Sequence, residues 1–163
     1  MRRYMARTTP IPETMTNDIQ ILIDSDAFVG WLLEGDTHYE RAGEIFAQLQ
    51  QHQMAAATTS AVIAETATVL SHRQGQKLAR TFLEILETGD LPVIYITESF
   101  YREGLAIFKE QPQRGTSVTD CTNVAVCQHL EIESIFSFDQ VYHKRFDLQL
   151  ASDLFLHENS IEE

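Results

Sequence analysis

Cysteine is scarce in this chain: Cys121 and Cys127 are the only two among 163 residues. Their spacing is neither a CxxC pair nor a disulfide framework, so they read as free core thiols of a reducing, cytoplasmic compartment. The six histidines form no HxxxH or HExxH pair, which removes the usual zinc signatures. Cations are few, 12 Lys and Arg against 24 acids, for a net charge of -12. That balance excludes a broad nonspecific nucleic-acid footprint but leaves room for a local one. No apolar run approaches the ~18 residues of a membrane span. The basic start Met1-Arg2-Arg3-Tyr4-Met5-Ala6-Arg7 has no apolar stretch behind it, so it is not a secretory signal.

A chain of this length suits one domain, and one of its size buries roughly 70% of its unfolded surface. Expected boundaries are a detached extension at 1–18, a folded domain at 19–157 and an acidic tail at 158–163. The apolar fraction of 44% is ordinary for a soluble domain. Short β-branched runs predict strands at 19–23, 54–57, 93–96 and 133–138, with a short fifth at 153–156. Between them, apolar spacing of three and four predicts helices at 28–33, 38–51, 60–71, 76–88, 98–109 and 118–130. Thr37, Ser60 and Ser117 are the expected caps of the second, third and last of these. Strands alternating with helices imply a parallel sheet covered on both faces, an α/β architecture.

Four acids interrupt this apolar pattern. Asp24 ends Ile19-Gln20-Ile21-Leu22-Ile23, and Asp139 ends Ile135-Phe136-Ser137-Phe138. Glu65 follows Ala61-Val62-Ile63-Ala64 and shares a helical face with Ala61, Val62 and Val69. Asp120 opens the small, apolar stretch to Leu130. Taken singly, a strand-end turn residue or a first-turn acid serving the helix dipole explains each of the three aspartates. Buried together, each close pair would repel by roughly 4 kcal/mol at ~4 Å and an effective dielectric of ~20. A divalent cation removes that conflict. Oxygen donors alone favour Mg²⁺ or Mn²⁺, which keep waters, accept phosphate oxygens and support in-line attack on a phosphodiester.

The phrases Ile21-Leu22-Ile23-Asp24-Ser25, Ser60-Ala61-Val62-Ile63-Ala64-Glu65, Thr116-Ser117-Val118-Thr119-Asp120 and Phe136-Ser137-Phe138-Asp139 occur in that order. They resemble the four signature blocks of PIN-domain nucleases, especially VapC-type toxins of toxin–antitoxin pairs. The resemblance covers about 19–156. It implies a three-layer α/β/α sandwich with a central parallel sheet of four to five strands, and Mg²⁺- or Mn²⁺-dependent cleavage of RNA. It also implies a homodimer, inhibited by a small antitoxin whose C-terminal segment occupies the active-site groove. By position, Asp24, Glu65, Asp120 and Asp139 match the family's metal-binding acids, and Ser117 matches its small hydroxyl near the third acid. Asp26 departs from the pattern, standing where many relatives carry a small polar residue; an outward strand-to-helix cap is the expectation over an extra acid near the metal.

Two other readings compete. Asp24-Ser25-Asp26 opens like the DxDx[TV] motif of haloacid-dehalogenase-like phosphohydrolases, but Phe28 fills the Thr/Val position and Glu65 is left unexplained. A catalytically inactive PIN-like binding module would have no physical reason to keep four mutually repelling acids. Candidates for steering an RNA backbone are Arg73, Lys77, Arg114 and Lys144, the last two a few residues from a site acid; solvated helix faces explain any single one of them equally well.

Overall fold

The computed structural model describes residues 18–112 and 114–155. Five strands form one sheet: β1 (Ile21–Ile23), β2 (Ala56–Thr59), β3 (Val93–Ile94), β4 (Ser134–Phe136) and β5 (Gln149–Leu150), in the order β3-β2-β1-β4-β5. Every pairing is parallel; Ile21 stands opposite Ala56 and Ser134, and Ile23 opposite Thr58 and Phe136. Helices α1 (Ser25–Leu32), α2 (Tyr39–Gln51), α3 (Ser60–Gln74), α4 (Gln76–Thr88), α5 (Glu98–Lys109), α6 (Val118–Leu130), α7 (Val141–Phe146) and α8 (Ala151–Leu154) connect them.

Alternation along the strands builds the layers. Ile21, Ile23 and Phe136 enter one core with Phe28, Ile45 and Phe82, residues of α1, α2 and α4. Leu22, Ile135 and Leu150 enter the opposite core with Val124, Val126 and Tyr142. The sheet is therefore covered on both faces, a three-layer α/β/α sandwich as the residue pattern implies. The chain adds β2 and β3 on one side of β1, then crosses to place β4 and β5 on the other. The crevice outside the ends of β1 and β4 is thus the topological switch point, where open α/β sheets bind ligands.

Several boundaries differ from expectation. The strand expected at 54–57 runs Ala56–Thr59, because Thr58 Oγ1 donates to the Ile23 carbonyl (2.9 Å) and extends the pairing toward the site. Thr59, not Ser60, then caps α3, accepting from the Val62 amide at 3.2 Å, while Ser60 Oγ accepts from the Ile96 amide at 3.0 Å. Thr37 does not cap α2; the turn before it is closed by Asp36, whose Oδ1 accepts from the His38 amide. The first helix starts at Ser25 rather than at 28, directly on the end of β1. No strand occupies 153–155: Ala151–Leu154 is a helical turn, and the fifth strand is Gln149–Leu150. Leu148 and Leu150 are buried around an exposed Gln149, a period of two that follows the left-handed turn at Asp147. The extensions at 1–18 and 158–163 fall, Asp18 apart, outside the described residues.

The closest helix crossing joins α5 to α6. A Cβ on Gly104 would lie 2.9 Å from Thr122 Cα and 3.0 Å from its amide nitrogen, so the helices meet backbone to backbone. Gly104→Ala should therefore cost about 2 kcal/mol by forcing the helices apart. Thermal unfolding should show a drop on the order of 5 °C. An unchanged midpoint would mean that this crossing is not tight in solution.

Candidate active site

Asp24 follows β1 directly, its amide donating to the Phe136 carbonyl at 3.0 Å. It is the N-cap of α1 but makes no side-chain cap bond, so its carboxylate turns elsewhere. Asn123 Nδ2 donates to its Oδ1 at 3.0 Å and the Tyr142 hydroxyl lies 2.9 Å from its Oδ2. At 3% exposure, burial raises its pKa well above the usual carboxylate range, and the charges of Asp26 and Asp120 raise it further.

Ser117 caps α6 as expected, and Asp120 completes a capping box. Asp120 Oδ2 accepts from the Ser117 amide at 2.6 Å, and Ser117 Oγ accepts from the Asp120 amide at 3.0 Å. The other oxygen, Oδ1, faces the Tyr142 hydroxyl at 3.1 Å. Burial raises the Asp120 pKa, its bonds to Ser117 and Tyr142 oppose that, and Asp139 adds to the rise. One oxygen of this acid thus serves the start of the helix, and the other faces the Tyr142 hydroxyl.

Asp26 does not cap a helix outwardly. Its Oδ2 accepts from the Phe138 amide (2.7 Å) and Ser137 Oγ (2.9 Å), tying the start of α1 to the end of β4. Its Oδ1 is buried without a hydrogen-bond partner. Burial first, then the charge of Asp139, lifts its pKa to about 6 against those two donors. Asp139 is exposed at the rim, its Oδ1 accepting from the Val141 amide at 2.9 Å where α7 begins.

The fold thus brings Asp24, Asp26, Asp120 and Asp139 to the switch point, near enough to perturb one another. Glu65 lies half-buried in the second turn of α3, a helix rising from the same sheet end, and makes no described hydrogen bond or ion pair. Among the described residues, no three acids, histidines or cysteines stand close enough together to ligate one ion as they are placed. The donor chemistry nonetheless suits a hard divalent cation: carboxylates, mutual repulsion and one buried carboxylate oxygen lacking any donor.

Two site residues escaped the sequence reading. Asn123 follows Asp120 by one helical turn. Tyr142 stands three residues after Asp139, a spacing that becomes informative only once 141–146 is known to be a helix. The cations separate into two groups. Arg114 and Lys144 line a cleft of about 680 Å³ with Asp139, joined there by Arg145, which donates to Thr116 Oγ1 at 2.7 Å. Arg73 lies elsewhere, paired with Asp36 at 2.8 Å, and Lys77 is exposed on α4. Both cysteines are buried and free, and burial pushes the Cys127 thiol up to about 12, which makes it inert.

A parallel three-layer sandwich with acids at its switch point defines the structural class. The PIN domain family matches residues 21–147, and the chain belongs to that family. No curated protein matches the chain. Among solved structures it is similar to VapC20 of Mycobacterium tuberculosis, a toxin that cleaves the sarcin–ricin loop. There the identity is 22% and the TM-score 0.68, over 74% of this chain and 90% of that one. It also resembles FitAcB of Neisseria gonorrhoeae (15% identity, TM-score 0.57) and VapBC2 of Rickettsia felis bound to a promoter DNA fragment (14%, 0.56). Each of those covers 80% of this chain and 95% of the other.

The raised carboxylates set a pH dependence. Asp26 at about 6 in the fold, against 3.8 ordinarily, binds its proton more tightly when folded. Its contribution to stability is present below the ordinary value and is lost as pH rises through 6, on the order of 3 kcal/mol. Metal-free wild type should therefore lose more stability between about pH 4 and pH 7 than Asp26→Asn does in denaturant titrations. Parallel pH profiles for the two proteins would contradict this assignment.

Proposed function

We propose that this protein is a Mg²⁺- or Mn²⁺-dependent endoribonuclease of the VapC toxin type, acting in the cytoplasm. The observation that carries this reading is the burial of the Asp24 and Asp120 carboxylates beside Asp26 and Asp139 at the sheet's switch point. Such a set is stable at neutral pH only with added positive charge. Membership of the PIN domain family and the fold shared with VapC20 support nuclease chemistry.

In this mechanism Asp24, Asp120 and Asp139 would hold the cation, with Glu65 directly or through water. When bound, the cation supplies an activated water and neutralises charge on the scissile phosphate. Ser117 and Asn123 keep the Asp120 and Asp24 carboxylates oriented. Arg114 and Lys144 receive the RNA backbone in the cleft they share with Asp139. Arg73 and Lys77 are weaker candidates, Arg73 because its guanidinium is already engaged by Asp36. The covalent phosphohydrolase reading fits poorly: Asp26, its required acid–base, is turned into Ser137 and Phe138.

The partner is a small antitoxin. An apolar groove of about 820 Å³, lined by Phe28, Trp31, Phe46, Phe82, Ile85 and Leu91, suits the apolar face of a helix. The similar VapBC2 structure, bound to a DNA fragment from its promoter, supports a partner of this kind. A second copy of the chain is assigned to the face of α5 that carries the exposed Tyr101 and Phe108.

Incubation of purified protein with end-labelled RNA should give Mn²⁺-dependent products ending in 5′-phosphate and 3′-hydroxyl. Asp24→Asn or Asp120→Asn should lower the rate by more than the about 10–100-fold that loss of a merely supporting group costs. Cleavage that persists in chelator, or that leaves 2′,3′-cyclic phosphates, would exclude this chemistry; binding without cleavage would favour an inactive module. In co-expression with the cognate antitoxin, native mass measurement should show a dimeric toxin carrying antitoxin. Ile85→Glu should release the antitoxin and leave the dimer intact. An antitoxin retained by that variant would place its dock outside the groove.

A further inference from the structure

The proposed chemistry gives no task to Tyr142, yet its hydroxyl lies 2.9 Å from Asp24 Oδ2 and 3.1 Å from Asp120 Oδ1. Its ring is fully buried in the core beneath the site. The bonding around it has a fixed direction. Thr59 Oγ1 accepts from the Val62 amide, so its single hydrogen goes to Asn123 Oδ1 at 3.2 Å. That orients the Asn123 amide, whose two hydrogens reach Asp24 Oδ1 (3.0 Å) and the Tyr142 oxygen (3.1 Å). The phenol therefore already accepts one bond and has one hydrogen left for two carboxylate oxygens. For two ionised acids the frame is one hydrogen short.

We infer that Tyr142 is a positioning residue for cation binding, its hydroxyl wedged between Asp24 and Asp120 to fix the spacing of the two carboxylates. Positive charge at the mouth of the site makes up the missing hydrogen. Without the wedge, the two acids are free to turn away from each other, which adds to the reorganisation that cation binding requires. This inference rests on the divalent-cation reading and adds to it the residue that prepares the site. Groups that support metal ligands in this way typically contribute 10–100-fold in affinity.

The test is calorimetric titration of metal-free full-length protein with Mn²⁺, independent of any RNA. Tyr142→Phe keeps the ring and removes the wedge, and should weaken Mn²⁺ binding about tenfold or more. The increase in unfolding temperature on adding Mn²⁺ should shrink accordingly. Asn123→Ala, which removes the donor that orients the phenol, should act in the same direction. Leu148→Ala is the structural control: it loosens the same core at the residue whose amide bonds the Tyr142 carbonyl, and should leave Mn²⁺ affinity unchanged. Unaltered affinity in Tyr142→Phe, or an equal loss in Leu148→Ala, overturns the positioning role while leaving the nuclease reading intact. Failure of wild type to bind Mn²⁺ overturns both.

Discussion

Burying the Asp24 carboxylate is the constraint around which this molecule is organised. A carboxylate at 3% exposure is unfavourable unless donors or opposite charge surround it. Its two oxygens are met by Asn123 and Tyr142, on the helices that precede and follow β4. Those residues are held in turn by Thr59 at the end of β2 and Asp120 at the start of α6. One buried acid thus ties together the ends of the central strands and two helices from the same side of the sheet. Asp26 repeats the arrangement nearby, bonding the loop after β4 to the start of α1.

These interactions work against stability in the metal-free protein. Burial and mutual repulsion raise the pKa of Asp24, Asp26 and Asp120 together. Burial is the largest cause in all three and the neighbouring carboxylates add to it, whereas an ion pair would shift them downward. Arg145 bonds Thr116, and Arg114 and Lys144 line the open cleft beside Asp139.

Much of this was legible in the residues, and for specific reasons. The bounds of α4, α5 and α6 follow from apolar spacing closed by Gly89, Thr97 and Ser117. Asp24 and Asp120 stood out because each contradicts an apolar context, and the fold buries both. What failed depended on tertiary partners. The extra residues of β2 exist because Thr58 and Thr59 find acceptors on β1 and α6, which a local pattern does not contain. Asp26 read as a cap because its true donors lie more than 110 residues away. Tyr142 was hidden because a six-residue helix leaves too little periodicity to reveal a face. Glu65 stood out most in the sequence, on a helical face shared with Ala61, Val62 and Val69, and in the fold it makes no described hydrogen bond or ion pair.

The most direct test is a crystal of the full-length protein grown with Mn²⁺ and recorded at the manganese absorption edge. An anomalous peak bonded to carboxylate oxygens of Asp24, Asp120 and Asp139, at about 2.1–2.2 Å as hard divalent ions require, is the predicted result. A manganese peak confined to other surface carboxylates, with the Asp24–Tyr142–Asp120 frame unchanged and empty, would contradict the account.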